Sequence, residues 1–207
     1  ISTPSKGYEY LFQASFIPNN KLESYIRVRH QYRPDDDERD PITPETVQFG
    51  RTNYRFNFTF RVSRRLQLRN RLELIHQSRP DRPADEFGFL VYQDVVYKPS
   101  KFPVDFSGRV AFFQTDGFDT RVYTYENDVL YSFTVPGFSG EGMRTYLNAK
   151  WEISRSLTLW LRWSQTYFPD RTTVGSGLDE IQGNTRSDFK VQVRYRFRAA
   201  QFRKSNR

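Results

Sequence analysis

Apolar and polar residues alternate with a period of two along nearly the whole of this chain, and nothing else in it constrains the fold as strongly. Side chains of a strand point alternately to opposite faces, so each such segment is a ribbon with one apolar and one polar side. Phe189, Val191, Val193, Tyr195 and Phe197 stand against Lys190, Gln192, Arg194 and Arg196. Tyr54, Phe56, Phe58, Phe60 and Val62 oppose Arg55, Asn57, Thr59 and Arg61. Leu157, Leu159, Leu161 and Trp163 oppose Thr158, Trp160, Arg162 and Ser164. Leu147, Ala149, Trp151 and Ile153 oppose Arg144, Tyr146, Asn148, Lys150 and Glu152. The pattern predicts ten strands, at 7–18, 21–33, 47–63, 66–78, 86–98, 104–115, 120–135, 143–154, 156–168 and 187–198. Asn19-Asn20, Arg64-Arg65 and Ser154-Arg155-Ser156 read as tight turns. Residues 34–46, 79–85 and 169–186 read as long polar loops, and no second domain is visible.

Composition removes the main competitors. No apolar run exceeds four residues, whereas a spanning helix needs about 20. Disordered chains are poor in aromatics, and this one has 19 Phe, 13 Tyr and 3 Trp. Without cysteine there is neither a disulfide framework nor a thiolate zinc site. The chain starts at Ile1 with no initiator Met or signal peptide, which reads as a processed product or a fragment. The net charge of +8 comes mostly from 25 Arg. The question is which face they occupy.

A soluble sandwich packs its apolar faces together; an outer-membrane barrel turns them to lipid and lines its lumen with the polar face. The expected strands run longer than the five or six residues usual in soluble proteins, and match the roughly 9–11 of tilted membrane strands. Aromatics at strand ends fit interfacial girdles: Tyr8, Tyr10, Tyr32, Tyr97, Trp163, Tyr167, Tyr195 and Phe197. An Arg on the lipid face costs about 2–4 kcal/mol near the midplane, which fixes the register with Arg inward. The expected fold is an all-β, antiparallel outer-membrane β-barrel of about 10–12 strands over 1–198, or the C-terminal part of a larger one, with a basic tail at 199–207. Its lumen is lined by Arg55, Arg61, Arg69, Arg71, Glu73, Arg144, Lys150, Glu152, Arg162, Lys190, Arg194 and Arg196. Counting back from Phe197 through single strands puts the short Arg64-Arg65 turn outside and the 79–85 loop inside, against the usual rule of short periplasmic turns and long external loops. Splitting 119–135 with a turn near Asn127-Asp128 restores the rule upstream.

Candidate chemistry is sparse. His30 and His76 fall on the apolar parity of their strands and read as interfacial residues, with no Ser or Asp at a supporting spacing. Asp35, Asp36, Asp37, Glu38 and Asp40 lack the glycine and ligand rhythm of a calcium loop and read as a solvated surface. Asp179, Glu180 and Asn184 could cap a turn or ligate a cation, while Gly175, Gly177 and Gly183 permit tight turns. Aromatics and arginines sit on opposite faces, unlike a single-strand nucleic-acid platform. No cofactor, metal site or catalytic residue is expected.

Several stretches resemble the C-terminal barrel of a Bacteroidota family of helix-hairpin-helix domain-containing proteins. They are Gly88–Pro99 (GFLVYQDVVYKP), Phe113–Gly117 (FQTDG), Tyr125–Phe133 (YENDVLYSF) and above all Gly175–Arg186 (GSGLDEIQGNTR) followed by VQVRYRF. The resemblance covers about residues 50–198 and implies an outer-membrane barrel preceded by helix-hairpin-helix repeats that hold nucleic-acid phosphates. This chain has no such helical segment, so nucleic-acid binding does not carry over. Barrel proteins of this kind commonly end on an aromatic, whereas Arg198–Arg207 follows Phe197 here.

The expectation is a non-enzymatic pore or structural component of a cell-envelope complex, linked to transport of an anionic substrate. Its partners are membrane lipid, lipopolysaccharide and other outer-membrane proteins. An outer-membrane barrel hydrolase with a site at the external rim and a soluble β-sandwich binding module are the alternatives.

Overall fold

The structure, a computed structural model, describes residues 6–36 and 46–197. In chain order its strands are β1 (Tyr8–Asn19), β2 (Leu22–Asp36), β3 (Thr46–Arg61), β4 (Leu66–Ser78), β5 (Glu86–Tyr97), β6 (Val104–Thr115), β7 (Val122–Tyr123) and β8 (Gly137–Phe138). They continue with β9 (Glu141–Glu152), β10 (Leu157–Tyr167), β11 (Thr173–Val174), β12 (Ile181–Gln182) and β13 (Thr185–Tyr195). Nine of these form one antiparallel sheet in the order β1-β2-β3-β4-β5-β6-β9-β10-β13, and the other four pair off as β7-β8 and β11-β12. The all-β antiparallel expectation is borne out. The sheet is open, since neither β1 nor β13 has a neighbour on its outer edge among the described residues.

The tight turns share a local cause. Asn19 Oδ1 accepts the N–H groups of Lys21 (2.9 Å) and Leu22 (3.1 Å). Ser63 Oγ accepts those of Arg65 and Leu66 at 3.1 Å, and Ser154 Oγ those of Ser156 (3.2 Å) and Leu157 (3.1 Å). In each case a short polar side chain caps the donors that the reversal leaves free. These turns and the 98–103 connection lie at one rim; residues 79–85, 116–140 and 168–184 connect strands at the other, where β2 also ends and β3 begins.

The seventh expected strand, at 120–135, is the main correction. Residues 120–135 do not join the sheet; they fold back as a hairpin, with a bridge between Glu126 and Thr134 and the short β7-β8 pair at its base. The reversal follows Asn127-Asp128, which restores the separation of short turns from long connections. Alternation at Val122, Thr124 and Glu126 marks a ribbon correctly, but a period of two does not say which ribbon pairs with which.

The hairpin lies on the concave face. Arg71 of β4 and Arg109 of β6 both reach Thr124, while Arg144 of β9 and Arg162 of β10 both reach Glu126, two residues further on. The strands from β4 to β10 would span about 19 Å in a flat sheet at the usual spacing of about 4.8 Å. Their convergence on so short a segment requires the sheet to curl around it. Ile75, Leu90, Tyr92, Ala111 and Phe113 form an apolar pad on this face, covered by Val122 and Phe138 of the hairpin. At Gly88 the approach is so close that a Cβ would stand 2.5 Å from the Thr120 carbonyl oxygen.

The convex face carries the rings. Phe56, Leu72, Val91, Phe112, Leu147, Trp151, Phe189 and Val193 are all exposed there. No second large sheet packs on them among the described residues, as a sandwich would require.

Candidate functional site

The concave face holds a ladder of buried charge. Residues opposite one another in register share a face. Arg55 opposes Glu73, Arg69 opposes Asp94, and Arg162 opposes Lys190. Every residue expected to line a lumen falls on this side, with Arg61, Glu152 and Arg196 near its short-turn rim. Arg55 donates to Glu73 through Nε and Nη2, both at 2.9 Å. Arg109 binds Asp94 through two nitrogens, with Nη2 at 2.8 Å, and its guanidinium lies 3.6 Å from the Tyr92 ring centroid. A carboxylate that accepts a guanidinium bidentately offsets much of the cost of removing both from water.

The most deeply buried of the remaining cations are met by the hairpin. Glu126, fully buried, accepts Arg144 Nε at 3.1 Å and Nη2 at 3.0 Å, and takes Arg162 on the same carboxylate. Arg162 is only 1% exposed and also donates to the Asn127 carbonyl, which accepts Asn148 Nδ2 at 2.7 Å as well. Asp128 accepts Lys190 Nζ at 2.7 Å and the Val129 N–H at 2.7 Å. Thr124 Oγ1 accepts Arg71 at 3.2 Å and Arg109 at 3.3 Å, and Arg51 donates to the Arg121 carbonyl at 3.0 Å. One short hairpin thus binds cations from β3, β4, β6, β9, β10 and β13.

Burial alone would push the Asp128 carboxyl up. The Lys190 ammonium, the Thr134 hydroxyl, the Val129 amide and Arg162 outweigh it and hold its pKa at about 2. A depressed carboxyl contributes stability that is complete above its ordinary pKa of 3.8 and is lost as pH falls through about 2. Pepsin cleavage within 127–133 is therefore expected to stay slow down to about pH 3 and to rise as pH approaches 2, while Asp128→Asn removes that pH dependence.

Some participants escaped the sequence reading. Asp94 and Arg109 sit in strands that contributed no residue to the expected lining. Glu126 and Asp128 were hidden because their segment read as a sheet strand. The signal that could have exposed the docking place is β5, whose inward positions Leu90 and Tyr92 are as apolar as its outward Phe89 and Val91.

At the long-connection rim, Arg79 binds Asp35 and Asp81, both at 2.8 Å, and Arg82 binds Glu86 and, at 2.9 Å, Asp119. Asp35 is therefore held by an arginine; Asp37, Glu38 and Asp40 lie outside the described residues, as does the basic tail. Gly175 and Gly183 adopt φ of +94° and +112°, so the 169–186 loop uses them as turn residues. Among the expected girdle residues, Tyr8 stacks on Tyr32 at 5.0 Å and lies 5.3 Å from Tyr10 at the long-connection rim, where Tyr167 also ends its strand. Tyr97 ends β5 at the short-turn rim, and Tyr195 meets Phe197 at 4.7 Å there. Trp163 lies nearer mid-strand.

Both histidines lie on the convex face near the long-connection rim, His30 and His76 opposing Thr52 from either side. His30 Nδ1 meets Thr52 Oγ1 at 2.9 Å. His76 Nε2 meets Asp85 Oδ2 at 2.8 Å, a partner that sequence spacing did not reveal. The Ser78 hydroxyl and His76 both bond the Asp85 carboxyl and lower its pKa. Ser78 is thus engaged with the acid rather than with the imidazole that would have to activate it.

No family model matches the chain, and no curated protein does. Among solved structures, it is similar to the copper transporter OprC, with 11% identity, a TM-score of 0.47, and coverage of 92% of this chain and 34% of that one. It is also similar to a Pseudomonas aeruginosa FadL homologue, with 7% identity, a TM-score of 0.44, and coverage of 95% and 57%. The chain therefore spans about a third and a little over half of the lengths of these two proteins.

Proposed function

We propose that the chain is a wall of a bacterial outer-membrane β-barrel whose bore is occupied by the 116–140 hairpin. In this reading it is a non-catalytic, plugged component of an envelope complex. The residual cationic lining would admit anions when the hairpin moves. Lipid and lipopolysaccharide would contact the convex face, and other outer-membrane proteins would be its partners. Membership of the Bacteroidota barrel family belongs to the same proposal and rests on the 175–186 motif.

One observation carries this reading, the inverted polarity of the sheet. Arg162, Arg109 and Glu73 are buried while Phe12, Phe56, Phe112 and Phe189 are exposed. Soluble monomers seldom expose a contiguous apolar patch beyond about 300–600 Å². A convex face of this composition suits acyl chains, and a bore lined with guanidinium groups suits water and carboxylates.

The test is a substitution at mid-strand on the convex face. Leu161→Arg, facing outward, is expected to cost about 2–4 kcal/mol in a bilayer and to abolish the heat-modifiable, detergent-extracted band on gels. In a soluble protein the same change at an exposed position would shift stability by under about 0.5 kcal/mol. An undiminished membrane fraction for Leu161→Arg, or a wild-type chain that stays in buffer without detergent, overturns the proposal.

A further inference from the structure

The two edges of the sheet run in the same direction. β1 passes from the long-connection rim at Tyr8 to the short-turn rim at Asn19, and β13 likewise from Thr185 to Tyr195. An antiparallel closure between them is therefore impossible with these strands alone. From this parity we infer that the gap is filled by an odd number of further β-strands, from polypeptide outside the described residues, of which the one beside β13 presents carboxylates inward. The inference rests on the membrane reading above, because water satisfies an open edge and a bilayer does not.

The unpaired groups can be named. Arg196 N–H donates to the Ser156 carbonyl and Phe168 N–H to the Asn184 carbonyl, so the even residues of β13 turn their backbone groups to β10. Ser187, Phe189, Val191, Val193 and Tyr195 consequently aim theirs at the open side. On β2, the bond from Arg61 N–H to the Lys21 carbonyl assigns the odd residues to β3 and the even ones to β1. That leaves the backbone groups of Glu9, Leu11, Gln13 and Ser15 of β1 aimed at its open edge, while their side chains face the concave side.

Charge says what should stand beside β13. At three places on the concave face an arginine meets a carboxylate on the adjoining strand: Arg29 with Glu9, Arg55 with Glu73 and Arg109 with Asp94. Arg186 and Arg194 have no ion pair among the described residues. Arg194 reaches Thr158 Oγ1 at 3.5 Å and lies 5.0 Å from the Trp160 ring centroid, and its Nε is buried without a hydrogen-bond partner. β1 cannot supply the missing acids. Its single inward carboxylate, Glu9, is already bound to Arg29 at 2.7 and 2.8 Å and to Gln31 at 2.7 Å, and its other inward residues are Leu11, Gln13 and Ser15. A second copy in the same membrane orientation offers β1 or β13 as its edge, and both again run parallel to β13.

Amide exchange of the chain in detergent micelles, followed by NMR, tests this directly. Alone, the amides of Ser187, Phe189, Val191, Val193 and Tyr195 should exchange at least about tenfold faster than those of Asp188, Lys190, Gln192 and Arg194. Two synthetic strands matching the 11 residues of β13 serve as probes, apolar on one face and bearing glutamates or lysines on the other. The glutamate peptide should slow exchange at the odd amides, and the lysine peptide should not. Slow exchange in the chain alone overturns the inference, as parallel self-closure if independent of concentration and as self-association if it rises with concentration. Equal protection by both peptides overturns the charge assignment. The membrane reading is scored separately by extraction, so a chain that proves water-soluble fails that reading while the exchange pattern still reports the edge.

Discussion

Glu126→Gln is expected to destabilise the protein by about 3–5 kcal/mol, the usual cost of removing one member of a buried ion pair. The carboxylate has no exposure, and it is shared by Arg144 and Arg162, of which Arg162 is 1% exposed. A glutamine keeps the shape and one acceptor oxygen but leaves two guanidinium groups facing a neutral amide. Denaturant unfolding in micelles measures the loss, and the double variant Glu126→Gln/Arg162→Met should recover part of it, because the uncompensated charge goes too. If Glu126→Gln unfolds like wild type, the hairpin is a surface ornament and not a structural member. Lys190→Met makes a useful contrast: its partner Asp128 is buried, but Lys190 itself is 40% exposed, so a smaller loss is expected.

On the proposed membrane reading, with the barrel completed by its further strands, excising residues 121–135 and rejoining the ends with glycine and serine is expected to make an occluded bore anion-selective. Glu126 and Asp128 leave with the segment, whereas Arg71, Arg144, Arg162 and Lys190 stay on the wall. Clefts lined with one sign of charge raise local counter-ion concentration by about tenfold or more. In cells carrying the chain in their envelope, uptake of an anionic β-lactam, read from periplasmic hydrolysis, should rise while uptake of a cationic dye stays near baseline. Equal uptake of both, or no change in either, contradicts a hairpin that occludes a cationic bore.

The sheet was legible in the sequence because its rule is local. Each ribbon from Tyr54 to Arg61, or from Phe189 to Tyr195, states its two faces by alternation, and each tight turn announces itself by an Asn or Ser with donors to cap. The hairpin was not legible, because its rule is long-range. Tyr123 and Tyr125 alternate with Thr124 and Glu126 as a sheet strand would, and only the six strands converging on that segment decide that it lies inside the curve. Half of the site could be read for the same reason: the arginines announce a charged interior, but the acids that answer them lie up to 62 residues away, as Asp128 does from Lys190. His76 and Asp85 illustrate the reverse, a short-range pair missed because a proline-rich connection separates them.

The hairpin is tethered at both stems. Its N-terminal side leaves β6 at Thr115 and its C-terminal side returns to β9 through Gly140, whose N–H donates to Thr115 Oγ1 at 2.9 Å. Glu126 and Asp128 are therefore resident ligands with an effective concentration on the order of millimolar or above. A dissolved phosphate or carboxylate competing for Arg144, Arg162 and Lys190 has to exceed that level before it gains the site, so trace anions leave the segment seated. Displacement would swing it about its stems and not release it, and vacancy and reoccupation would then be unimolecular events, insensitive to protein concentration.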